Sequence, residues 1–194
     1  MKISLYDNDA LLIVDVQNDF LPGGNLGVPE GDQIVPVINS YISLFTNAKL
    51  HVFASRDYHP ADHCSFAEQG GSWPSHCVAG TRGADFAAGL NLPEDVSIIS
   101  KATEQDRDAY SALEATGLNN ELKQQQVKRV FVCGLATDYC VLASVRGLLQ
   151  ADFEVILLVD AIKGVNLTPG DSDKAIKEML AKGAVKLTLE ELEK

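Results

Sequence analysis

Five short apolar runs, rich in β-branched residues and separated mostly by helical patterns, limit most strongly what this chain can fold into. They occupy 10–16 (ALLIVDV), 50–55 (LHVFAS), 96–100 (VSIIS), 130–134 (VFVCG) and 153–159 (FEVILLV), with a weaker sixth at 185–188. Most are nearly continuous rather than alternating, the pattern of strands covered on both faces. Helical spacing runs through 33–47, where Ile34, Val37, Ile38, Tyr41, Ile42 and Phe45 share a stripe, and through 118–126, 137–150 and 172–182. Such alternation predicts βαβ units and a three-layer α/β/α fold. About six mostly parallel strands would form its sheet, with helices on both faces. No repeat, low-complexity segment or linker interrupts the pattern. At 194 residues the chain suits a single domain spanning 1–194.

In open parallel sheets, ligands bind beyond the carboxyl ends of the strands. Asp15 lies at the end of the first run, Asp57 and His59 follow the second, and Lys101 follows the third. Cys140 opens the helix after the fourth, with Thr137 as its N-cap. A thiol in a first helical turn meets exposed N–H groups that stabilise a thiolate and can hold an oxyanion. Asp15 can take the thiol proton, and Lys101 can stabilise the charged pair. Each residue also has a plainer reading. Cys140 can be a small apolar helix residue, Asp15 a loop-capping carboxylate and Lys101 a solvated strand terminus. Cys77 and Cys133 read as core thiols, and Cys64 as a loop residue.

About forty residues between Ser55 and Val96 show little periodicity, and a loop that long in a compact domain is usually functional. It holds three of the four histidines, His59, His63 and His76, together with Asp57. Imidazole nitrogens with one carboxylate suit zinc, iron or manganese. The alternative is a polar loop with incidental histidines. Asp62 and Glu68 read as solvated, and His51 as a strand residue in the core or on a face.

The net charge of −11 repels phosphate backbones and anionic lipid, which argues against nucleic acid and membrane partners. The apolar stretch 10–14 is too short for a signal segment or a membrane span, so the expected compartment is the cytoplasm. None of the four cysteines shows C-x-x-C spacing, and they read as free thiols.

Five blocks carry a family resemblance: ALLIVDVQNDFLPGGNLGV at 10–28, SRDYHPADHCSF at 55–66, WPSHCVAGTRGADF at 73–86, Lys101 with AYSAL at 109–113, and VFVCGLATDYCV at 130–141. In this order they resemble the isochorismatase-like cysteine hydrolases, and within them the nicotinamidases. The resemblance implies a triad of Asp15, Lys101 and Cys140, and a metal site of Asp57, His59 and His76. His63 matches a position that is a fourth ligand in some members. Phe20, Trp73, Tyr110 and Leu135 match the substrate pocket, although ATEQDRD at 102–108 departs from the glycine-rich version of that segment. Leu135–Ala136 matches a cis peptide, which would make the N–H groups of Ala136 and Cys140 the oxyanion hole.

The implied activity is hydrolysis of nicotinamide, and of pyrazinamide, to the acid and ammonia in NAD salvage. One divalent ion would assist, zinc before iron or manganese, and both monomers and homo-oligomers fit the resemblance. Three rivals stand beside it. An amidase of the same superfamily for a ureido or carbamoyl substrate would share the triad. A vinyl-ether hydrolase of the isochorismatase type requires neither the cysteine nor the metal. A non-catalytic metal or thiol sensor would explain Cys140 but leaves Asp15 and Lys101 without a role.

Overall fold

Every apolar run becomes a strand. The computed structural model describes residues 2–192. Its strands are β1 (Asp9–Val14), β2 (His51–Asp57), β3 (Ser97–Lys101), β4 (Arg129–Leu135), β5 (Glu154–Lys163) and β6 (Val185–Leu187). Its helices are α1 (Val35–Asn47), α2 (Leu118–Gln124), α3 (Leu142–Gln150) and α4 (Asp171–Ala181). The strands form one sheet in the order β3-β2-β1-β4-β5-β6, and every neighbouring pair is parallel. The chain moves outward from β1 to β3 and returns to β4 on the other side of β1. That reversal opens a crevice at the ends of β1 and β4.

The continuous apolar character of β1 follows from its place at the centre of the sheet, where all six of its residues are buried. Leu11 and Ile13 pack with Ile38, Tyr41 and Phe45 of α1 on one face. Leu12 and Val14 pack on the other with Leu118 and Leu122 of α2, Val145 and Leu148 of α3, and Met179 of α4. Each large apolar side chain buried in this way contributes about 1.5–3 kcal/mol. Pro36 stands in the first turn of α1, where its missing N–H costs nothing.

Two boundaries differ from the sequence reading. β5 continues past 159 to Lys163, through a register shift against β4. Asp160 breaks the apolar run there, yet its carboxylate is satisfied: it accepts from the Tyr41 hydroxyl at 2.9 Å and from Leu189 N at 2.8 Å. Thr137 is not an N-cap. The extended residue before the helix is Ala136, and Thr137–Val141 form one wide turn that leads into α3.

Gly134 shows why the end of β4 can sit so close to β1. Its φ is +114°, and a Cβ there would fall 2.0 Å from the Val14 carbonyl oxygen, so glycine alone fits. The Leu135–Ala136 peptide that follows is cis.

Candidate active site

Asp15 is the first residue past β1, and its φ of +49° lies in the left-handed region that aspartate tolerates better than most residues. Its N–H donates to the Ser55 carbonyl at 3.1 Å. The side chain is fully buried. Oδ1 accepts from Ser55 Oγ at 2.7 Å, and Oδ2 pairs with Lys101 Nζ at 3.0 Å.

Lys101 ends β3 and is buried, although β3 is an edge strand that is only partly covered. Its ammonium also donates to Asp57 Oδ1 and, at 3.2 Å, to the Ala109 carbonyl, and it lies 3.5 Å from Cys140 Sγ. Cys140 comes from the wide turn after β4. Its sulfur and a carboxylate oxygen from each of Asp15 and Asp57 lie within 4.8 Å of one another. Strand ends β3, β2, β1 and β4 are consecutive in the sheet, and together they deliver an amine, two carboxylates and a thiol to one rim.

Burial sets the protonation balance here. It raises the Asp15 carboxyl, against the opposing pull of Lys101. Burial would depress the Lys101 ammonium, but Asp15, Asp57 and Cys140 hold it well above its ordinary value. Burial also pushes the Cys140 thiol well up, with Lys101 opposing and Asp15 adding to the rise. The thiol therefore rests protonated, beside a carboxyl group placed to exchange its proton and a fixed cation placed to hold the resulting thiolate.

Next to this group, donor atoms of Asp57, His59 and His76 converge within 4.8 Å of one another, all three residues buried. His59 Nδ1 donates to the Ala102 carbonyl at 3.2 Å, and His76 Nδ1 to the Pro74 carbonyl at 2.7 Å. Those bonds leave the Nε2 lone pair of each ring for another partner. His59 Nε2 is buried and has no hydrogen-bond partner. Burial, then His76, His63 and Lys101, push the His59 pKa down to about 3, so its ring is neutral. Two imidazoles and a carboxylate, with one ring nitrogen orphaned, fit a divalent cation.

Gln17 fixes the third donor. Its Oε1 accepts from Asp57 N at 2.8 Å, and its Nε2 donates to the carbonyls of Asp57 at 2.8 Å and Ala84 at 2.9 Å.

His63 is placed differently. It stacks on His59 with ring centroids 4.2 Å apart, but both its nitrogens are engaged, Nδ1 with Ser65 Oγ at 2.8 Å and Nε2 with the Arg107 carbonyl at 3.1 Å. It lies outside the converging trio. Asp62 and Glu68 are exposed, and so is His51 at the start of β2.

Cys140, Asp57, His59 and His76 open onto a cleft of about 470 Å³, open solvent at its mouth included. Phe20, Trp73 and Tyr110 form part of its wall, as does Ala136. Trp73 Nε1 donates to the Tyr110 hydroxyl at 2.9 Å, which sets both rings. Leu135 is corrected: its side chain is buried in the core on the α1 face, and Ala136 takes the place on the wall.

The sequence reading missed Leu26, Asp108, Tyr139 and Val165, which also line the cleft. Tyr139 packs edge-on to Trp73 with centroids 5.2 Å apart. Its place beside Cys140 in the chain was the available signal. Ser55 and Gln17 are polar residues where apolar runs end, a signal of the same kind. Leu26 and Val165 gave none, since distant loops carry them in.

A model of the isochorismatase domain matches residues 9–191. The nicotinamidase of Escherichia coli is 38% identical over 205 residues, covering 95% of this chain and 96% of its own. The nicotinamidase/pyrazinamidase of Mycobacterium tuberculosis is 37% identical over 186 residues, covering 92% and 97%. Among solved structures, the pyrazinamidase of Pyrococcus horikoshii in complex with zinc superposes with a TM-score of 0.91 at 49% identity, covering 94% of this chain and 99% of its own. PnC1 of L. infantum in complex with nicotinate gives a TM-score of 0.92 at 35% identity, covering 100% and 99%.

Proposed function

The chain belongs to the isochorismatase family, and from that membership and the site we propose that it is a metal-assisted cysteine amidohydrolase converting nicotinamide, and its analogue pyrazinamide, to the acid and ammonia. One observation carries the reading. A buried thiol, carboxylate and ammonium meet at the rim of the sheet, beside a His/His/Asp trio and an aromatic-walled cleft.

Asp15 takes the proton of Cys140, and Lys101 stabilises the thiolate. The sulfur attacks the amide carbon, and the carbonyl electrons move onto oxygen, held by the N–H groups of Ala136 and Cys140. When the C–N bond breaks, Asp15 passes its proton to the leaving nitrogen, which departs as ammonia. Water then attacks the thioester, Asp15 accepts its proton, and that proton returns to the sulfur as nicotinate leaves. General acid–base help of this kind contributes roughly 10²–10⁴-fold, and one oxyanion donor roughly 10²–10³-fold.

Asp57, His59 and His76 would hold one divalent ion, zinc before iron or manganese, which would supply Lewis-acid polarisation and an anchor for the substrate ring. Phe20, Trp73 and Tyr110 clasp the flat ring. His63 supports the trio through its contact with His59. The physiological setting is NAD salvage in the cytoplasm, by one catalytic domain. Among the described residues no helix is long and apolar enough to cross a membrane.

The test is ammonia release by the purified protein from nicotinamide, pyrazinamide and a panel of ureido and carbamoyl compounds, with and without chelator. Release from the two pyridine-type amides, weakened by chelator, is the expected outcome. Release only from a carbamoyl substrate would overturn the assignment.

A further inference from the structure

The proposed reaction turns a neutral amide into a carboxylate and ammonium. A fixed charge on the cleft wall therefore weighs differently on substrate and products. Asp108 supplies such a charge. It lines the cleft, partly buried, within a segment pinned on both sides. Before it, the Arg107 carbonyl meets His63 Nε2 at 3.1 Å. After it, the Ala109 carbonyl accepts from Lys101 Nζ at 3.2 Å, and the Tyr110 hydroxyl accepts from Trp73 at 2.9 Å. Asp108 Oδ1 itself accepts from Ala109 N at 2.9 Å, which fixes the carboxylate against its own backbone.

The other carboxylate on this wall, Asp57, is paired with Lys101. Asp108 forms no ion pair among the described residues. Its charge on the cleft wall is therefore not cancelled by a direct ion-pair partner. The neighbouring acids Glu104 and Asp106 are exposed and off the cleft wall, so Asp108 alone of that acidic stretch is placed to act on a ligand.

Resting on the nicotinamidase reading, we infer that Asp108 is a specificity-determining residue that sets the preference of the cleft for the neutral amide over its acid. It repels the carboxylate product, so it lowers product inhibition and rejects pyridine carboxylates as ligands. The same charge has little effect on nicotinamide, which is neutral.

The test is the ratio of nicotinate to nicotinamide affinity in metal-loaded protein. It is read by titration in a Cys140→Ala background, and by nicotinate inhibition of turnover in the otherwise unaltered enzyme. Asp108→Asn keeps the acceptor for Ala109 N and removes only the charge. It should tighten nicotinate relative to nicotinamide by about threefold to tenfold, with the change shrinking as salt is added. Asp108→Glu should keep the original ratio. An unmoved ratio in Asp108→Asn, or equal tightening of both ligands, would overturn the inference, because a steric or structural role moves both together. If the unaltered enzyme releases no ammonia from nicotinamide, the functional reading falls and takes this inference with it. Ammonia release with an unmoved ratio sinks this inference alone.

Discussion

Lys101 Nζ lies 3.5 Å from Cys140 Sγ while it contacts the carboxylates of both Asp15 and Asp57. One buried ammonium thus joins the thiol, the carboxylate proposed to take its proton and a carboxylate of the proposed metal site. Its contribution is larger than any one contact, because the groups it neutralises have little access to water.

Replacing that ammonium should reveal the cost. Lys101→Met keeps the length of the side chain and leaves two carboxylates buried without a cation. Breaking a buried pair in this way typically costs about 3–5 kcal/mol. A urea titration should show the midpoint falling accordingly, and ammonia release should be lost. A variant of unchanged stability would mean that the carboxylates find other partners or are protonated in the resting protein.

Cys140, the proposed nucleophile, can be removed with far less disturbance. Cys140→Ala deletes one sulfur and leaves Asp15, Lys101 and the aromatic wall in place. Turnover should fall by roughly 10³-fold or more, since the acyl intermediate of the proposed reaction forms on its sulfur. Nicotinamide should still bind, as isothermal titration would show. Ammonia release close to that of the unaltered enzyme would remove Cys140 from the mechanism.

Asp15 depends on Ser55, whose hydroxyl donates to Oδ1 at 2.7 Å in a buried setting. Ser55→Ala deletes that donor, and a buried acceptor without its partner costs about 1–3 kcal/mol. The hydrogen bond also favours the ionised carboxylate. Losing it raises the Asp15 pKa further, so the pH above which turnover becomes fast should move upward. A pH–rate profile that keeps its acid limb in place would show that Ser55 supports the fold only.

Much of this arrangement was legible in the sequence, and the reason is physical. A parallel sheet buried on both faces writes itself as apolar runs, and its function collects where those runs end, so Asp15, Asp57, Lys101 and Cys140 could all be placed. The fifth run ends at 159 in the sequence reading, one residue before Asp160, for the same reason. A charge inside an apolar run looks like a strand end unless its partners, here Tyr41 and Leu189, are known. The outer wall of the cleft was not legible, because Leu26 and Val165 reach it from loops whose course is set by tertiary contacts. Val165, for instance, is held by Asp138 accepting from its N–H at 2.9 Å. Leu135 failed for a finer reason, since a one-residue step along the chain decides which of two neighbours faces the cleft.

Metal should stabilise the protein as well as assist it. A cation that binds only the folded state raises stability by about 2.7 kcal/mol at a hundred times its dissociation constant. Thermal unfolding of chelator-treated protein should therefore shift upward as zinc is added back. His76→Ala should abolish the shift. A zinc-independent Tm in the unaltered protein would count against the Asp57, His59 and His76 site.

Gln17 should tune that metal site without touching the metal. It is fully buried, and its amide makes three hydrogen bonds, two to the backbone of Asp57 and one to Ala84. Gln17→Leu keeps the approximate volume but strands an N–H and two carbonyls, at a cost of about 1–3 kcal/mol for each group left unsatisfied. Residues that support a metal ligand typically carry about 10–100-fold in metal affinity, so zinc titration should show a loss of that order. The two effects separate in Gln17→Glu, which can still accept from Asp57 N but cannot donate to either carbonyl. Zinc affinity should fall between those of the unaltered protein and Gln17→Leu. If Gln17→Leu lowers the unfolding midpoint yet binds zinc as tightly as before, the amide holds the loop together and the orientation of Asp57 is set elsewhere.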